Sequence, residues 1–168
     1  MTPVRNKDGY QKKVYDFAKN IYVVCPSCTG QALVASPDFY IRNENLAAIR
    51  LVCSTCGYHK RYIDTPLRML LPRTSGKPLV GRVHSIGGAI DPYFQRPLWL
   101  SASVGSNLLW AYNYEHLDFL EKFIGANLRE RNTHPVSNSN LGSRLPSWMT
   151  SAKNRKAVLQ AIEKLKKK

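Results

Sequence analysis

The chain has 168 residues, with 25 Lys plus Arg against 11 Asp plus Glu and a formal net charge of +14. That length holds one ordinary domain or two small ones and excludes a large multi-domain enzyme; the charge points to an acidic partner. Hydrophobic residues make up 43 %, enough for a modest core and unlike a wholly disordered chain.

The longest apolar runs, Ile21 to Cys25 and Leu108 to Tyr112, have five residues where about 20 span a membrane, so no membrane partner is expected. The first 15 residues carry Arg5, Lys7, Lys12 and Lys13 with no apolar stretch after them, which argues against a secretory signal. A reducing cytoplasm is the expected compartment, and there close cysteine pairs hold metal more readily than they form disulfides.

Residues 1–20 read as a basic N-terminal helix or arm, because Tyr10, Val14, Phe17, Ala18 and Ile21 recur at the spacing of one helical face. Residues 21–65 read as a four-cysteine zinc ribbon, with Tyr22-Val23-Val24 and Ala47 to Val52 as strand-favouring runs leading into its two cysteine pairs. Residues 66–88 read as a Pro/Gly-rich linker, since five of the ten prolines and four of the ten glycines fall between Pro66 and Pro97.

Residues 89–131 predict a β-hairpin plus helix. Leu98 to Val104 and Asn107 to Tyr112 flank Gly105-Ser106, which suits a type II′ turn, and Leu98, Leu100, Ala102 and Val104 share one face. Asn113 then caps a helix in which Leu117, Leu120, Ile124 and Leu128 repeat at three and four residues. Residues 132–146 read as a Ser/Asn-rich linker. Residues 147–168 read as a basic C-terminal helix with Ser151 as its cap and Val158, Ile162 and Leu165 as its apolar stripe.

The expected fold class is therefore α+β: a small zinc ribbon joined to a β-hairpin/helix unit with a C-terminal amphipathic helix. Formal charge divides as +7 over residues 1–81, zero over 82–131 and +7 over 132–168. A neutral packing unit flanked by two polyanion-facing regions follows.

The strongest motif is Cys25-Pro26-Ser27-Cys28-Thr29-Gly30, followed after 24 residues between the pairs by Cys53-Ser54-Thr55-Cys56-Gly57-Tyr58. Two intervening residues let a tight turn bring both sulfurs of a pair onto one ion, and the glycine after each pair lets the chain swing away. Cys25, Cys28, Cys53 and Cys56 then close a tetrahedron around one structural Zn2+ with no open position, and without metal the ribbon is expected to be disordered. Buried free thiols and an iron–sulfur cluster remain alternatives on spacing alone. A redox dithiol needs only one such pair, in a βαβ setting that the sequence does not display. His59 reads as a surface residue beside four sulfurs, and His84, His116 and His134 as structural or exposed.

Around the ribbon, Arg42, Arg50, Lys60 and Arg61 sit on or beside the strands, with Tyr58 and Tyr62 interleaved with the last two, the mixture of cations and rings that suits a nucleic-acid strand. The competing reading makes the tyrosines a small ribbon core and the cations its solvated surface. Lys153, Arg155 and Lys156, with Lys164 and Lys166 to Lys168, form a second basic surface on the C-terminal helix. Enzymatic machinery is not evident: Gly76-Lys77 lacks the upstream glycine and following Ser or Thr of a phosphate-binding loop, and no carboxylate or histidine set suits a metal nuclease. The expected function is non-enzymatic binding of DNA or RNA mainly through phosphate contacts. The alternative is a protein-interaction adaptor docking on an acidic partner such as a polymerase, helicase or defence-system effector.

Cys25-Pro26-Ser27-Cys28 with Cys53-Ser54-Thr55-Cys56-Gly57 resembles the ribbon of transcription-factor-B-type zinc-ribbon proteins. Asp91-Pro92-Tyr93-Phe94, Pro97-Leu98-Trp99-Leu100, Leu109-Trp110-Ala111-Tyr112-Asn113, Leu128-Arg129-Glu130-Arg131 and Leu145-Pro146-Ser147-Trp148-Met149 through Ala152-Lys153-Asn154-Arg155 resemble small bacterial proteins that share that label and have no well-defined activity. The resemblance implies a metal site at the four cysteines and a bacterial cytoplasmic setting. It supplies no catalytic residues.

Overall fold

A computed structural model describes residues 5–6, 10–37, 46–126, 128–129 and 140–168; Arg42, His134, most of the 132–146 segment and the greater part of the first nine residues lie outside them. The strands are β1 (Arg5–Asn6), β2 (Ile21–Val24), β3 (Gln31–Ala35), β4 (Arg50–Val52), β5 (His59–Arg61), β6 (Arg68–Leu71), β7 (Leu79–Gly81), β8 (Ser101–Val104), β9 (Asn107–Trp110) and β10 (Leu128–Arg129). The helices are α1 (Tyr114–Gly125), α2 (Leu141–Arg144), α3 (Ser147–Thr150) and α4 (Arg155–Lys166). The fold is α+β, with helices and antiparallel sheets, and no helix of the described residues is long and apolar enough to cross a membrane.

β2 to β5 form one four-stranded antiparallel meander in chain order. β2 alternates buried and half-buried residues along Ile21 to Val24, the period of a sheet with one face on a core. The helix predicted from Tyr10 to Ile21 is instead a 3-10 turn over Val14–Phe17, braced by the Lys13 N–H donating to the Asp16 carboxylate at 2.7 Å. Asn20 takes φ 51° and turns the chain into β2; the β-branched and aromatic residues after it favour extended structure over a further helical turn. The predicted apolar positions still go inside, with Phe17, Ala18 and Ile21 at most 1 % exposed.

The segment 66–88 contains an antiparallel hairpin, β6 with β7, whose apolar side chains face solvent, Met69 at 63 % and Leu71 at 59 % exposure. β8 and β9 pair through Gly105-Ser106 with Val104 opposite Asn107, and Gly105 takes the φ of 60° that a type II′ turn places at its first central residue. Asn113 caps α1, its Oδ1 accepting the His116 N–H at 2.9 Å. The helix stops at Gly125, and Leu128, expected on its face, pairs in β10 with Arg5 of β1.

The C-terminal helix also differs from its prediction. It is split: α3 ends at Thr150, Ser151 is extended, and α4 begins after Asn154, whose side-chain amide donates to the Trp148 carbonyl at 3.0 Å and holds the break. Val158, Ile162 and Leu165 are buried as expected and pack with Leu100, Leu109, Leu117, Leu120 and Ile124 in one cluster. A second cluster joins Phe17, Ile21, Val23, Val34, Leu51 and Tyr62 to Tyr93, Leu98 and Tyr112. Leu98 and Leu100, predicted to share a face, thus enter different clusters, because β8 begins only at Ser101.

Backbone bonds sew the two clusters together. The free edge of β2 donates from Tyr22 N to Tyr112 O (2.8 Å) and from Val24 N to Pro97 O (2.9 Å), while Trp99 N donates to Tyr22 O (2.9 Å). The Asn113 amide reaches the carbonyls of Phe17 and Lys19 at 3.1 and 2.9 Å.

Candidate metal centre

In a four-stranded meander the first and third turns lie at the same end of the sheet. Cys25-Pro26-Ser27-Cys28 connects β2 to β3 and Cys53-Ser54-Thr55-Cys56 connects β4 to β5, and β3 pairs with β4, so topology alone brings the two knuckles side by side. The two turns repeat the same backbone bonds. The N–H four residues after each first cysteine donates to that cysteine's carbonyl, from Thr29 to Cys25 at 3.1 Å and from Gly57 to Cys53 at 3.0 Å. Each first cysteine in turn donates its own N–H five residues on, Cys25 to Gly30 O and Cys53 to Tyr58 O, both at 2.8 Å.

The equivalent left-handed residues are Thr29 (φ 58°) and Gly57 (φ 73°). This corrects the expectation of a swinging glycine in both knuckles, since Gly30 is one residue too late. Its role is space: a Cβ on Gly30 would lie 3.3 Å from Cys28 Sγ.

All four Sγ atoms lie within 4.8 Å of one another. Cys25 Sγ is 3.7 Å from Cys56 Sγ, and Cys28 Sγ is 3.6 Å from Cys53 Sγ. A tetrahedron with metal–sulfur bonds of about 2.3 Å has edges of about 3.8 Å, so the cluster has the size of a single four-coordinate ion. These separations are far beyond a disulfide bond of about 2.05 Å, and all four cysteines are free.

Backbone N–H groups are aimed at the sulfurs. Ser27 N lies 3.4 Å from Cys25 Sγ, and the Cys56 N–H is the largest influence holding the Cys53 thiol down to about 6. Cys28 goes the other way, to about 12: the Gly30 N–H pulls it down but is outweighed by the crowding sulfur of Cys56, by burial and by Cys53 and Cys25. Four sulfurs this close cannot all be thiolates without a cation between them; one divalent ion removes that conflict. Cys25 and Cys53 are buried and Cys56 is exposed, so the cluster sits at the rim of the sheet.

The basic residues predicted around the ribbon divide between two faces. Register pairs Leu51 with Lys60 and Arg50 with Arg61, and cross-strand partners share a face while successive residues alternate. Lys60 lies with Leu51, Tyr58 and Tyr62 along a cleft that Arg68, Arg82 and Arg96 also line. Arg50 and Arg61 lie on the opposite face, where Arg61 forks onto Asp64 at 2.8 and 2.9 Å and holds that carboxyl below its usual range. Arg68, Arg82 and Arg96 escaped the sequence reading because they sit in punctuated chain with no period of their own.

At the end of α4, Lys166 bridges Asp118 and Glu121 of α1, and just beyond it Lys167 pairs with Glu163 and Lys168 lies 4.0 Å from the Trp99 ring centroid. Those three cations are used within the fold. Lys153 and Lys156 are exposed, and Arg155 is half-buried.

Compared with models of protein families, with curated proteins and with solved structures, the chain matches none. The fold and the site define an α+β protein with a four-cysteine cluster able to hold one metal ion.

Proposed function

We propose that the chain is a non-enzymatic zinc-ribbon protein that binds nucleic acid mainly through phosphate contacts. Four sulfurs at single-ion spacing support zinc over a multi-iron cluster, which would spread its thiolates over several metal atoms. The shell they close leaves no coordination position for water or substrate, which supports a structural ion.

The observation that carries the nucleic-acid reading is uncompensated charge. Arg50, Lys60, Lys153 and Lys156 are exposed and make no ion pair among the described residues, whereas Arg61, Lys166 and Lys167 are held by neighbouring carboxylates. Such cations gain most from displacing the counterions of a polyanion. One zinc per chain by metal analysis and binding of mixed DNA and RNA that weakens steeply with salt are expected. Replacing Lys153, Arg155 and Lys156 together should flatten the log–log salt slope by about 2 to 3; an unchanged slope removes that surface from the interface.

A second reading, an adaptor on an acidic protein partner, is favoured by the exposed apolar hairpin β6–β7, where Leu67, Met69, Leu71, Leu79 and Val80 are each at least 42 % exposed. Absence of any nucleic-acid binding at low salt selects it.

A further inference from the structure

A cleft of about 230 Å³ opens on the Leu51 side of the ribbon, between β5 and the turn 91–96. Among the described residues its charged lining is entirely cationic: Lys60, Arg68, Arg82 and Arg96. The acidic residues of the segment 46–114 are Asp64 and Asp91, and neither lines it. Asp64 is forked by Arg61. Asp91 is fully buried and accepts the N–H groups of Tyr93, Phe94 and Arg96 at 2.9, 2.8 and 2.6 Å, which fixes the turn that forms one wall.

The cations differ in their commitments. Arg82 donates to the carbonyls of Ile63 and Thr65 at 2.6 and 2.9 Å and sits 5.5 Å from the Tyr62 ring centroid, so it is a fixed part of the wall. Lys60 and Arg68 are exposed, and Arg68 Nη2 makes a long bond to Gln95 Oε1 at 3.4 Å. The Arg96 Nε is buried and has no hydrogen-bond partner among the described residues; a buried donor of that kind needs an acceptor. The uncharged lining includes four rings, Tyr58, Tyr62, Tyr93 and Phe94, beside aliphatic and polar residues such as Leu51, Val83 and Gln95, with Tyr62 edge-on to both Tyr93 and Phe94.

We propose that this cleft receives one unit of a single-stranded nucleic acid, its base against the half-buried rings of Tyr58 and Phe94 and its phosphate on Lys60, Arg68 and Arg96. The inference rests on the nucleic-acid reading above and narrows it to a strand and a place. Cations alone would serve any phosphate, but rings recessed among cations favour a ligand carrying a flat face beside its charge. A duplex keeps those faces stacked inside. The volume is below the roughly 300 Å³ at which pockets begin to enclose a small molecule. It therefore suits one unit of a longer strand lying across the ribbon better than an enclosed free nucleotide.

The test uses the full-length, metal-loaded chain. Fluorescein-labelled single strands of DNA and RNA are titrated by anisotropy, with unlabelled duplex and mononucleotides as competitors, and a 4-thiouridine strand is photocrosslinked and its site mapped by mass spectrometry. Expected are crosslinks within 58–62 or 91–96, a loss of on the order of tenfold or more in strand affinity for Phe94→Ala and for Lys60→Ala with Arg68→Ala, and weak competition by duplex. The crosslink map of the unaltered chain decides the matter even where a variant folds poorly. Crosslinks elsewhere with undiminished binding by the variants overturn the cleft and leave the broader nucleic-acid reading standing. Equal competition by duplex, or a mononucleotide that competes as well as the strand, overturns the single-strand assignment. No binding of any nucleic acid at low salt overturns the broader reading and this one with it.

Discussion

The knuckle end of the ribbon and the hairpin–helix unit are built on different physics. Around α1 and α4 the chain buries a continuous apolar cluster, with Leu100, Leu109, Leu117, Ile124, Val158 and Ile162 all fully buried, and shape follows from removing that surface from water. At the knuckles Ser27, Ser54, Thr55 and Gly57 are small or polar and four sulfurs crowd together. Order there rests on backbone bonds and on a four-cysteine cluster that could hold one metal ion. All three tryptophans lie outside the knuckles; Trp99 and Trp148 pack on the hairpin–helix cluster and Trp110 on the ribbon's cluster, so their emission follows the packed core apart from the knuckles.

The sharpest way to break the contrast is to remove the proposed ion. Chelation, or Cys25→Ser with Cys53→Ser, should eliminate bound metal and withdraw stabilisation on the order of 10 kcal/mol from the ribbon. Hydrogen exchange should then accelerate at residues 25–30 and 53–58 while tryptophan emission and helical circular dichroism persist. Simultaneous loss of all three signals would show that the two regions unfold as one unit.

The reciprocal perturbation is Ile162→Ala in α4, where a fully buried side chain leaves a cavity worth about 2–5 kcal/mol. Denaturant melting should register the loss while metal content stays at its unaltered level.

Acid discriminates the regions through His116. Its ring is stacked on Phe17 at 4.7 Å, Nδ1 accepts the Tyr112 N–H at 3.3 Å, and burial pushes its pKa down to about 3 from the ordinary 6.5. The unfolded chain binds a proton below pH 6.5 that the folded chain refuses. This contribution is therefore present above pH 6.5 and is lost as pH falls toward 3, by about 2 kcal/mol at pH 5. His116→Gln should remove that part of the slope between melts at pH 7 and pH 5; an unaltered slope would show that His116 does not carry it.

The smallest expected effect is a gain. Thr29 holds a left-handed φ that Gly57 adopts without strain in the matching knuckle, so Thr29→Gly should stabilise the metal-loaded ribbon by up to about 1 kcal/mol. A thermal melt showing destabilisation would mean that the Thr29 hydroxyl, which donates to the Cys28 carbonyl at 2.6 Å, matters more than the strain.

Local chemistry made much of this readable in advance. Four cysteines in two C-x-x-C pairs specify a metal-sized cluster because two intervening residues leave few turns that bring both sulfurs together. Asn113 before an apolar three-four repeat specifies the start of α1, and Gly105-Ser106 the turn of β8–β9, since cap and turn are decided within a few residues. Other features were beyond local rules. The apolar repeat through Tyr10, Val14 and Phe17 fits a helix equally well until the edge of β2 demands hydrogen-bond partners from Pro97, Trp99 and Tyr112. The helical pattern across Ser151 cannot foretell the break that Asn154 locks.

The sequence alone determined the four-cysteine cluster, the fold class, the apolar stripe of α4 and the excess of positive charge, all of which depend on residue type and short spacing. Tertiary structure decided that Lys60 and Arg61 face opposite ways, that Lys166 and Lys168 are used inside the fold, and that Arg68, Arg82 and Arg96 converge with four rings beside the ribbon. The physical reason is that strand register and the meeting of distant segments are set by burial across the whole chain, and no window of neighbouring residues contains that information.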